Sequence, residues 1–159
     1  ISTTNSGTQH QVVVNNGTDN SSYNYHYLNS GPDNGTGEDY ILYGWAGVEG
    51  FSKFGTYKGA GSSGVFVYTG HRPKMVWIKN IDTTGNWFIF DAVRDTYNET
   101  VNYLHANSSA SETTNSGYKI DILSNGFRIK VESTHMNNSA YDYVFCSWAE
   151  TPFSKANAR

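Results

Sequence analysis

Short runs of β-branched and aromatic residues, separated by Gly, Asn, Asp or Pro, recur along the chain, and no helical period of apolar positions lies between them. Such runs are typical of strands, because these side chains suit a pleated surface while Gly and Asn suit tight turns. The pattern predicts strands at Gln11–Val14, Asp39–Ala46, Val65–Thr69, Met75–Ile81, Trp87–Phe90, Asn102–His105, Tyr118–Leu123, Phe127–Glu132 and Asp142–Ala149.

A hairpin is predicted between the strands Tyr118–Leu123 and Phe127–Glu132. Asn125-Gly126 supplies the positive φ angles of a tight primed turn. The strand that follows alternates apolar Phe127, Ile129 and Val131 with charged residues, as expected of an antiparallel strand with one buried face. Many short strands at close spacing predict an all-β fold, an antiparallel β-sandwich of jelly-roll type with little or no helix.

An internal repeat links the two ends of the chain. Asp39–Ala46 and Asp142–Ala149 agree in Asp, Tyr, Trp and Ala at an offset of 103 positions, and Phe51–Lys53 matches Phe153–Lys155 after one adjustment. Repetition at a fixed offset indicates a tandem array of similar units. The repeated tryptophans stand beside alternating apolar residues, which predicts that both pack inward.

The repeat also predicts how the chain is divided. Residues 1–38 are expected to be the end of a preceding repeat unit or a connector, and residues 39–159 one complete β-sandwich unit with its closing strand. The chain does not begin with Met, and we expect it to be part of a longer protein. The Gly- and Asn-rich stretch at 29–37 is predicted to be a linker or an exposed binding loop.

Composition and charge restrict the classes of partner. Charged residues make up only 16% of the chain and the formal net charge is −3, without any cluster of Lys and Arg, so neither nucleic acid nor an anionic membrane is an expected partner. No apolar run reaches the length of a membrane span. A single cysteine, Cys146, lies in an apolar run and is predicted to be a core residue.

A set of landmarks in a fixed order carries a family resemblance: Gly50–Tyr57, Val65–Lys79, Trp87–Asp91, Arg94–Asn98, Leu123–Phe127 and Trp148–Phe153. They resemble a repeated domain of bacteriophage tail-fibre and other virion surface proteins, particularly those of marine phages. The resemblance covers residues 39–159 and implies a virion structural protein that contacts the host surface. It supplies no catalytic or ligand residue. His71 stands where Phe is more usual, and residues 1–38 match the pattern poorly.

No arrangement of residues in the sequence predicts catalysis, and no cofactor is expected. The five histidines lack the short spacings of a zinc site, and the Gly-rich stretch at 59–64 fits neither a serine-hydrolase turn nor a phosphate loop. Asp91 and Asp95, on either side of Arg94, are interpreted as an ion-pair or capping cluster. A catalytic role for these carboxylates is the alternative.

Calcium is the one metal that the sequence brings into consideration. Asp33, Glu38 and Asp39 offer hard oxygen ligands on a turn-prone stretch, without the spacing of an EF-hand. Loops of this composition also satisfy their own backbone through local hydrogen bonds, and that interpretation is preferred here. No metal is therefore predicted.

Tyrosines next to polar loops are the candidate ligand-binding residues. Tyr supplies a large contact area at low entropic cost, and Asn, Ser and Gly supply adaptable hydrogen bonding. The predicted binding residues are Tyr23, Tyr25, His26 and Tyr27, followed by His71 and Arg72. A strand at an interdomain or subunit interface is the alternative for the Tyr-rich segment.

Three functions of different classes remain. The leading hypothesis is a non-catalytic virion module, of a phage tail fibre or surface decoration, that presents loops to a host glycan or protein and contacts other virion subunits. A homo-oligomer fits this hypothesis, with a trimer as the form suited to a fibre. The second is a secreted bacterial carbohydrate-binding module attached to a larger protein, and the third is a degenerate jelly-roll hydrolase. The expected location is the virion or the extracellular space.

Overall fold

The computed structural model describes the backbone of residues 2–6, 9–15 and 23–28 and all of residues 44–152. The chain divides into two compact units, residues 1–44 and 45–159. The strands are β1 (Ser2–Ser6), β2 (Gln9–Asn15), β3 (Tyr23–Leu28), β4 (Ser52–Lys58), β5 (Val65–Tyr68), β6 (Pro73–Asn80), β7 (Phe88–Asp91), β8 (Asn102–His105), β9 (Thr113–Thr114), β10 (Ile120–Leu123), β11 (Gly126–Ile129) and β12 (Asp142–Ala149).

The fold is all-β and sandwich-like, as predicted. In the second unit, a six-stranded antiparallel sheet of order β4-β12-β6-β7-β8-β9 faces a three-stranded antiparallel sheet of order β10-β11-β5. A single 3₁₀ turn at Gly61–Ser63 is the helical element among the described residues. None of these residues lies in a helix long and apolar enough to cross a membrane.

The core lies between the two sheets because strand alternation brings one face of each sheet inward. On β12, Tyr143, Phe145 and Ser147 are all buried, and in the register of β6 they pair with Asn80, Ile78 and Val76. The small sheet contributes alternate residues of its own strands. The buried apolar core comprises Val67, Val76, Ile78, Phe88, Phe90, Ala92, Tyr103, Ile120, Ile122, Phe127, Ile129, Met136, Tyr143 and Phe145.

The hairpin β10–β11 differs from its prediction in the identity of the turn. Leu123 pairs with Gly126, so the two-residue turn is Ser124-Asn125, and Gly126 is the first residue of β11. Gly126 does not have a positive φ. A Cβ at this position would overlap the carbonyl oxygen of Val67 on β5, so glycine is required by close approach of the neighbouring strand.

The first unit contains a three-stranded antiparallel meander of order β1-β2-β3. Strand β2 matches the predicted strand at Gln11–Val14 and pairs with both neighbours. The boundary between the two compact units, after Gly44, lies six residues beyond the predicted boundary after residue 38.

The tryptophans of the repeat lie on the outer face of the six-stranded sheet. Trp148 is half-buried, since it points away from the inward-facing Ser147, and Trp45 is 56% exposed. The prediction that both pack into the core is therefore wrong. Residues 44–46 are not in a strand, while residues 39–43 of the repeat lie outside the described residues. The outer aromatic cluster comprises Trp45, Phe54, Trp77, Trp87 and Trp148.

Candidate functional site

An open cavity of about 450 Å³ lies at one end of the sandwich, between the turn at 115–118 and the segment 132–138. We call it the Tyr118–His135 pocket. Two aromatic rings, one carboxylate, two amides and two hydroxyl groups surround it. The lining residues are Asn115, Gly117, Tyr118, Glu132, Ser133, Thr134, His135 and Asn138.

The segment 133–138 is a short turn with its own hydrogen bonds. The amides of Met136 and Asn137 donate to the carbonyl oxygen of Ser133, at 3.2 and 2.8 Å. The amide of His135 donates to the Ser133 hydroxyl at 3.2 Å, which caps the turn. The backbone of this wall is thus paired locally, and four of its residues, Ser133, Thr134, His135 and Asn138, line the cavity.

Buried tyrosines and an asparagine of the six-stranded sheet fasten the same turn to the sandwich. Tyr143 Oη donates to the carbonyl oxygen of Thr134 at 2.9 Å, and Asn80 Nδ2 donates to the same oxygen at 2.5 Å. Tyr57 Oη donates to the carbonyl oxygen of Met136 at 2.7 Å. Burial raises the pKa of both Tyr57 and Tyr143, so these hydroxyls remain neutral donors.

Asn137 ties the turn to the segment that follows β4. Its Oδ1 accepts a hydrogen bond from the amide of Ala60 at 2.8 Å, and its Nδ2 donates to the carbonyl oxygens of Gly61 and Val131 at 2.8 and 3.2 Å. Asn137 is fully buried. A buried amide with all three contacts satisfied specifies one arrangement of the surrounding backbone.

The opposite wall of the pocket is an Asx turn. Asn115 Oδ1 accepts from the amide of Gly117 at 2.8 Å, and the carbonyl oxygen of Asn115 accepts from the amide of Tyr118 at 3.0 Å. The turn is anchored where the amide of Asn115 donates to the carbonyl oxygen of Val101. It places the Tyr118 ring against the core with one side toward the cavity.

The two aromatic rings that line the pocket pack against each other and against the core. The Tyr118 ring lies 5.8 Å from His135 and 5.1 Å from Phe88, centroid to centroid. His135 Nδ1 is buried near Gly85 and has no hydrogen-bond partner among the described residues.

The lining of the Tyr118–His135 pocket matches the chemistry of a sugar ring. A pyranose has an apolar C–H face that packs on an aromatic ring, and hydroxyl groups that both donate and accept hydrogen bonds. Tyr118 supplies the ring, and Glu132, Asn115 and Thr134 supply acceptors and donors at exposed positions. Glu132 forms no ion pair with any residue in the described part of the chain, so its carboxylate is available to hydroxyls.

A second cavity, of about 380 Å³, lies where β4 and β5 meet at the edge of the sandwich. Lys53 and Tyr68 form its centre, with Lys53 Nζ 4.9 Å above the centroid of the Tyr68 ring. We call it the Lys53–Tyr68 cavity. Its lining residues are Gly47, Val48, Glu49, Gly50, Ser52, Lys53, Tyr68, Thr69 and Gly70.

The structure places His71 and Arg72 near the second cavity, in contacts within the fold. His71 is buried, and its Nε2 lies 2.9 Å from the Ser147 hydroxyl. Burial, and secondarily the positive charge of Lys53, lower the pKa of His71. Arg72 Nε donates to Glu150 at 2.6 Å, and Arg72 also donates to the carbonyl oxygen of Ile122. Neither residue lines either cavity.

The remaining predicted ligands fall largely outside the described residues. Tyr23, Tyr25, His26 and Tyr27 lie on β3, whose backbone pairs with β2, while their side chains are outside the description. Asp33, Glu38 and Asp39, the weak calcium candidates, are outside it entirely. Within residues 44–152, no three His, Cys, Asp or Glu side chains come together as a metal site.

Asp91 and Asp95 act as caps, as predicted. Asp91 accepts hydrogen bonds from the amides of Val93 and Arg94 and from the Arg94 guanidinium. Burial alone would raise the pKa of Asp91, but these hydrogen bonds outweigh it and the pKa is lowered. Asp95 accepts from the amides of Val101 and Asn102 at 2.7 Å.

Comparison with protein families matches residues 1–152 to the family described as a domain of unknown function, DUF7483. The chain belongs to the DUF7483 family. The match includes both units, so the three-stranded meander of residues 1–44 is part of the DUF7483 domain together with the sandwich. No curated protein and no solved structure matches the chain.

No motif in the sequence predicted the Tyr118–His135 pocket of this DUF7483 domain. The pocket joins two segments that are 14 or more residues apart and share no motif. One signal was present in the sequence. The stretch 133–138, which follows a predicted strand, combines hydroxyl, imidazole and amide side chains. Such a polar run after a strand is typical of a binding loop on a rigid scaffold.

Proposed function

We propose that this domain is a non-catalytic module of a bacteriophage virion, in a tail fibre or surface decoration, and that it binds a glycan of the host cell surface. The observation that carries the proposal is the Tyr118–His135 pocket. It combines one aromatic ring with hydroxyl, amide and carboxylate groups on a turn whose backbone is already fixed. A fixed site loses little conformational entropy when a ligand binds.

A weak sugar site of this kind suits a repeated module. One shallow site with few polar contacts gives modest affinity, but copies along a fibre raise the apparent affinity through effective concentration. The repeat of Asp39–Ala46 in Asp142–Ala149 supports an array of such modules. The proposed location is the virion surface, and the proposed partners are the host glycan and other virion subunits.

Glycan-array binding of the multimerised domain tests the proposal. We expect binding to a small set of glycans, without release of reducing sugar from the same compounds. Tyr118→Ala should lose the signal, while Tyr97→Ala should keep it, because Tyr97 is 86% exposed and lies outside the pocket. Loss of binding in both variants, or release of reducing sugar by the wild type, would refute the proposed function.

The second function, a secreted carbohydrate-binding module, predicts the same pocket but a different parent protein. The reading frame around this chain separates the two. A fibre protein should carry further copies of Asp-Tyr-(Ile/Val) followed by Trp-Ala, whereas a secreted enzyme should carry a hydrolase domain. Binding through a protein receptor is tested separately by adsorption to host cells with and without glycosidase treatment.

The Tyr-rich strand β3 remains a predicted contact surface. Replacement of Tyr25 and Tyr27 by Ala in a multimeric form of the domain should reduce adsorption to host cells if this strand contacts the receptor. Unchanged adsorption by a correctly folded variant would assign these tyrosines to the structure of the first unit.

A further inference from the structure

Lys53 brings a positive charge to the Lys53–Tyr68 cavity. Lys53 forms no ion pair and no side-chain hydrogen bond with any residue in the described part of the chain. Its aliphatic stem is half-buried, and its ammonium group lies over the Tyr68 ring. A cation–π contact holds the ammonium in place without using its three N–H donors in hydrogen bonds.

Backbone hydrogen bonds hold both walls of this cavity. One wall is the turn Val48–Ser52, in which the Val48 carbonyl oxygen accepts from the amides of Phe51 and Ser52 at 2.9 and 2.8 Å. The other wall follows β5, where the amides of Thr69 and Gly70 donate to the carbonyl oxygen of Asn125. Gly50 and Gly70 have φ of 72° and 82°, a conformation that admits glycine with little strain.

Tyr68 provides an apolar surface next to the cation. Its side chain is 57% exposed, and Phe66, two residues earlier on the same strand face, is 46% exposed. Glu49 lines the same cavity but forms no ion pair with Lys53, so its carboxylate is free for hydroxyl groups. The cavity therefore joins a positive charge, an aromatic surface and a hydrogen-bond acceptor.

We infer that the Lys53–Tyr68 cavity is a second binding site, whose ligand is a sugar ring that carries a carboxylate, of the hexuronic acid class. The sugar carboxylate pairs with the Lys53 ammonium, the C–H face of the ring packs on Tyr68, and Glu49 accepts a hydrogen bond from a ring hydroxyl. The inference is independent of the Tyr118–His135 pocket, because the two cavities share no residue.

NMR titration of the whole chain with sodium glucuronate tests this inference. We expect saturable shifts of the amides of 48–53 and 68–70, with at least about tenfold weaker binding of both methyl glucoside and acetate. Methyl glucoside lacks the charge and acetate lacks the ring. Equal binding of acetate would indicate an anion site without sugar recognition and would overturn the inference, as would the absence of shifts at these residues.

Variants test whether a loss of glucuronate binding comes from this cavity, and not from a folding defect or from the Tyr118–His135 pocket. Lys53→Met keeps the length of the stem and should reduce glucuronate affinity about tenfold or more, as should Tyr68→Leu. Lys58→Met is the matched control on β4, since Lys58 pairs with Asp142 outside the cavity. It should bind glucuronate like the wild type. Tyr118→Ala should also keep glucuronate binding, so failure of the first pocket and failure of this site are distinguishable. Wild-type affinity in Lys53→Met would overturn the assignment.

Discussion

Trp45 and Trp148 occupy matching positions of the eight-residue repeat and lie edge to face on the outside of the six-stranded sheet, with ring centroids 6.4 Å apart. Both rings also contact Phe54 on β4 and Trp77 on β6. The two tryptophans thus meet on one face of the sheet, Trp148 within β12 and Trp45 in a described stretch, 44–46, that is not a strand. The repeated Trp contributes to an outer aromatic cluster.

A double-mutant cycle tests the energetic link between these two rings. Trp148→Ala should lower the free energy of unfolding by about 2–4 kcal/mol, and Trp45→Ala by less, because Trp45 is the more exposed. Edge-to-face rings at this distance contribute about 0.5–1.5 kcal/mol of coupling. Urea unfolding of the two single variants and the double variant measures it. Strict additivity would show that the contact contributes nothing.

Gly126→Ala tests the close approach of β5 and β11. A methyl group would overlap the Val67 carbonyl oxygen and press on the Phe66 ring, so we expect a loss of about 1–3 kcal/mol in unfolding free energy. Gly44→Ala is the matched control, since nothing lies within 4 Å of its added Cβ. Similar stability of the two variants would contradict the close approach.

Asn137→Ala tests the support of the Tyr118–His135 pocket. The substitution removes three hydrogen bonds and leaves the buried carbonyl of Gly61 and the partly buried backbone groups of Ala60 and Val131 without this partner. We expect a loss of about 2–4 kcal/mol in unfolding free energy, together with faster amide exchange at 133–138. Asn115→Ala, at an exposed position, should cost less than about 1 kcal/mol. Unchanged exchange at 133–138 in Asn137→Ala would contradict this role.

His71 should make stability depend on pH. Its pKa in the folded chain lies below the ordinary value of 6.5, so the unfolded chain binds a proton that the folded chain does not. Stability should therefore fall as the pH decreases below about 6.5, until the folded pKa is reached. Thermal melting between pH 7.5 and 5 should show this decrease, and His71→Gln should lack it. An equal decrease in His71→Gln would assign the effect to other groups.

Lys53→Met should raise the pKa of His71, because it removes the positive charge that helps to lower this pKa. The value should stay below the ordinary one, since burial is the larger cause and persists. NMR titration of the His71 ring protons measures the change. Lys58→Met serves as the control and should leave the pKa of His71 unchanged.

The sequence predicted most strands of the sandwich because their apolar alternation is strong. β6, β7, β8 and β12 agree with their predicted ranges within two residues. β4 was missed because Lys53, Gly55 and Lys58 interrupt its apolar pattern. Glycine at position 55 leaves room for the Phe145 ring, because an added Cβ would lie 3.0 Å from this ring.

The pockets could not be predicted in the same way because their residues come together only through strand pairing. Tyr118 was assigned to a strand and His135 was one of five scattered histidines, yet their rings lie 5.8 Å apart. Likewise, Lys53 and Tyr68 belong to different sheets and meet at the edge of the sandwich. Local sequence patterns indicate which face of a strand is buried, but not which loops become neighbours.

A chemical-shift map recorded with a glycan identified on the array tests whether the Tyr118–His135 pocket binds a sugar ring. Titration should shift the amides of 115–118 and 132–138, and Tyr118→Ala, folded as judged by its amide spectrum, should lose these shifts. Shifts confined to other surfaces, or a full response in Tyr118→Ala, would contradict it.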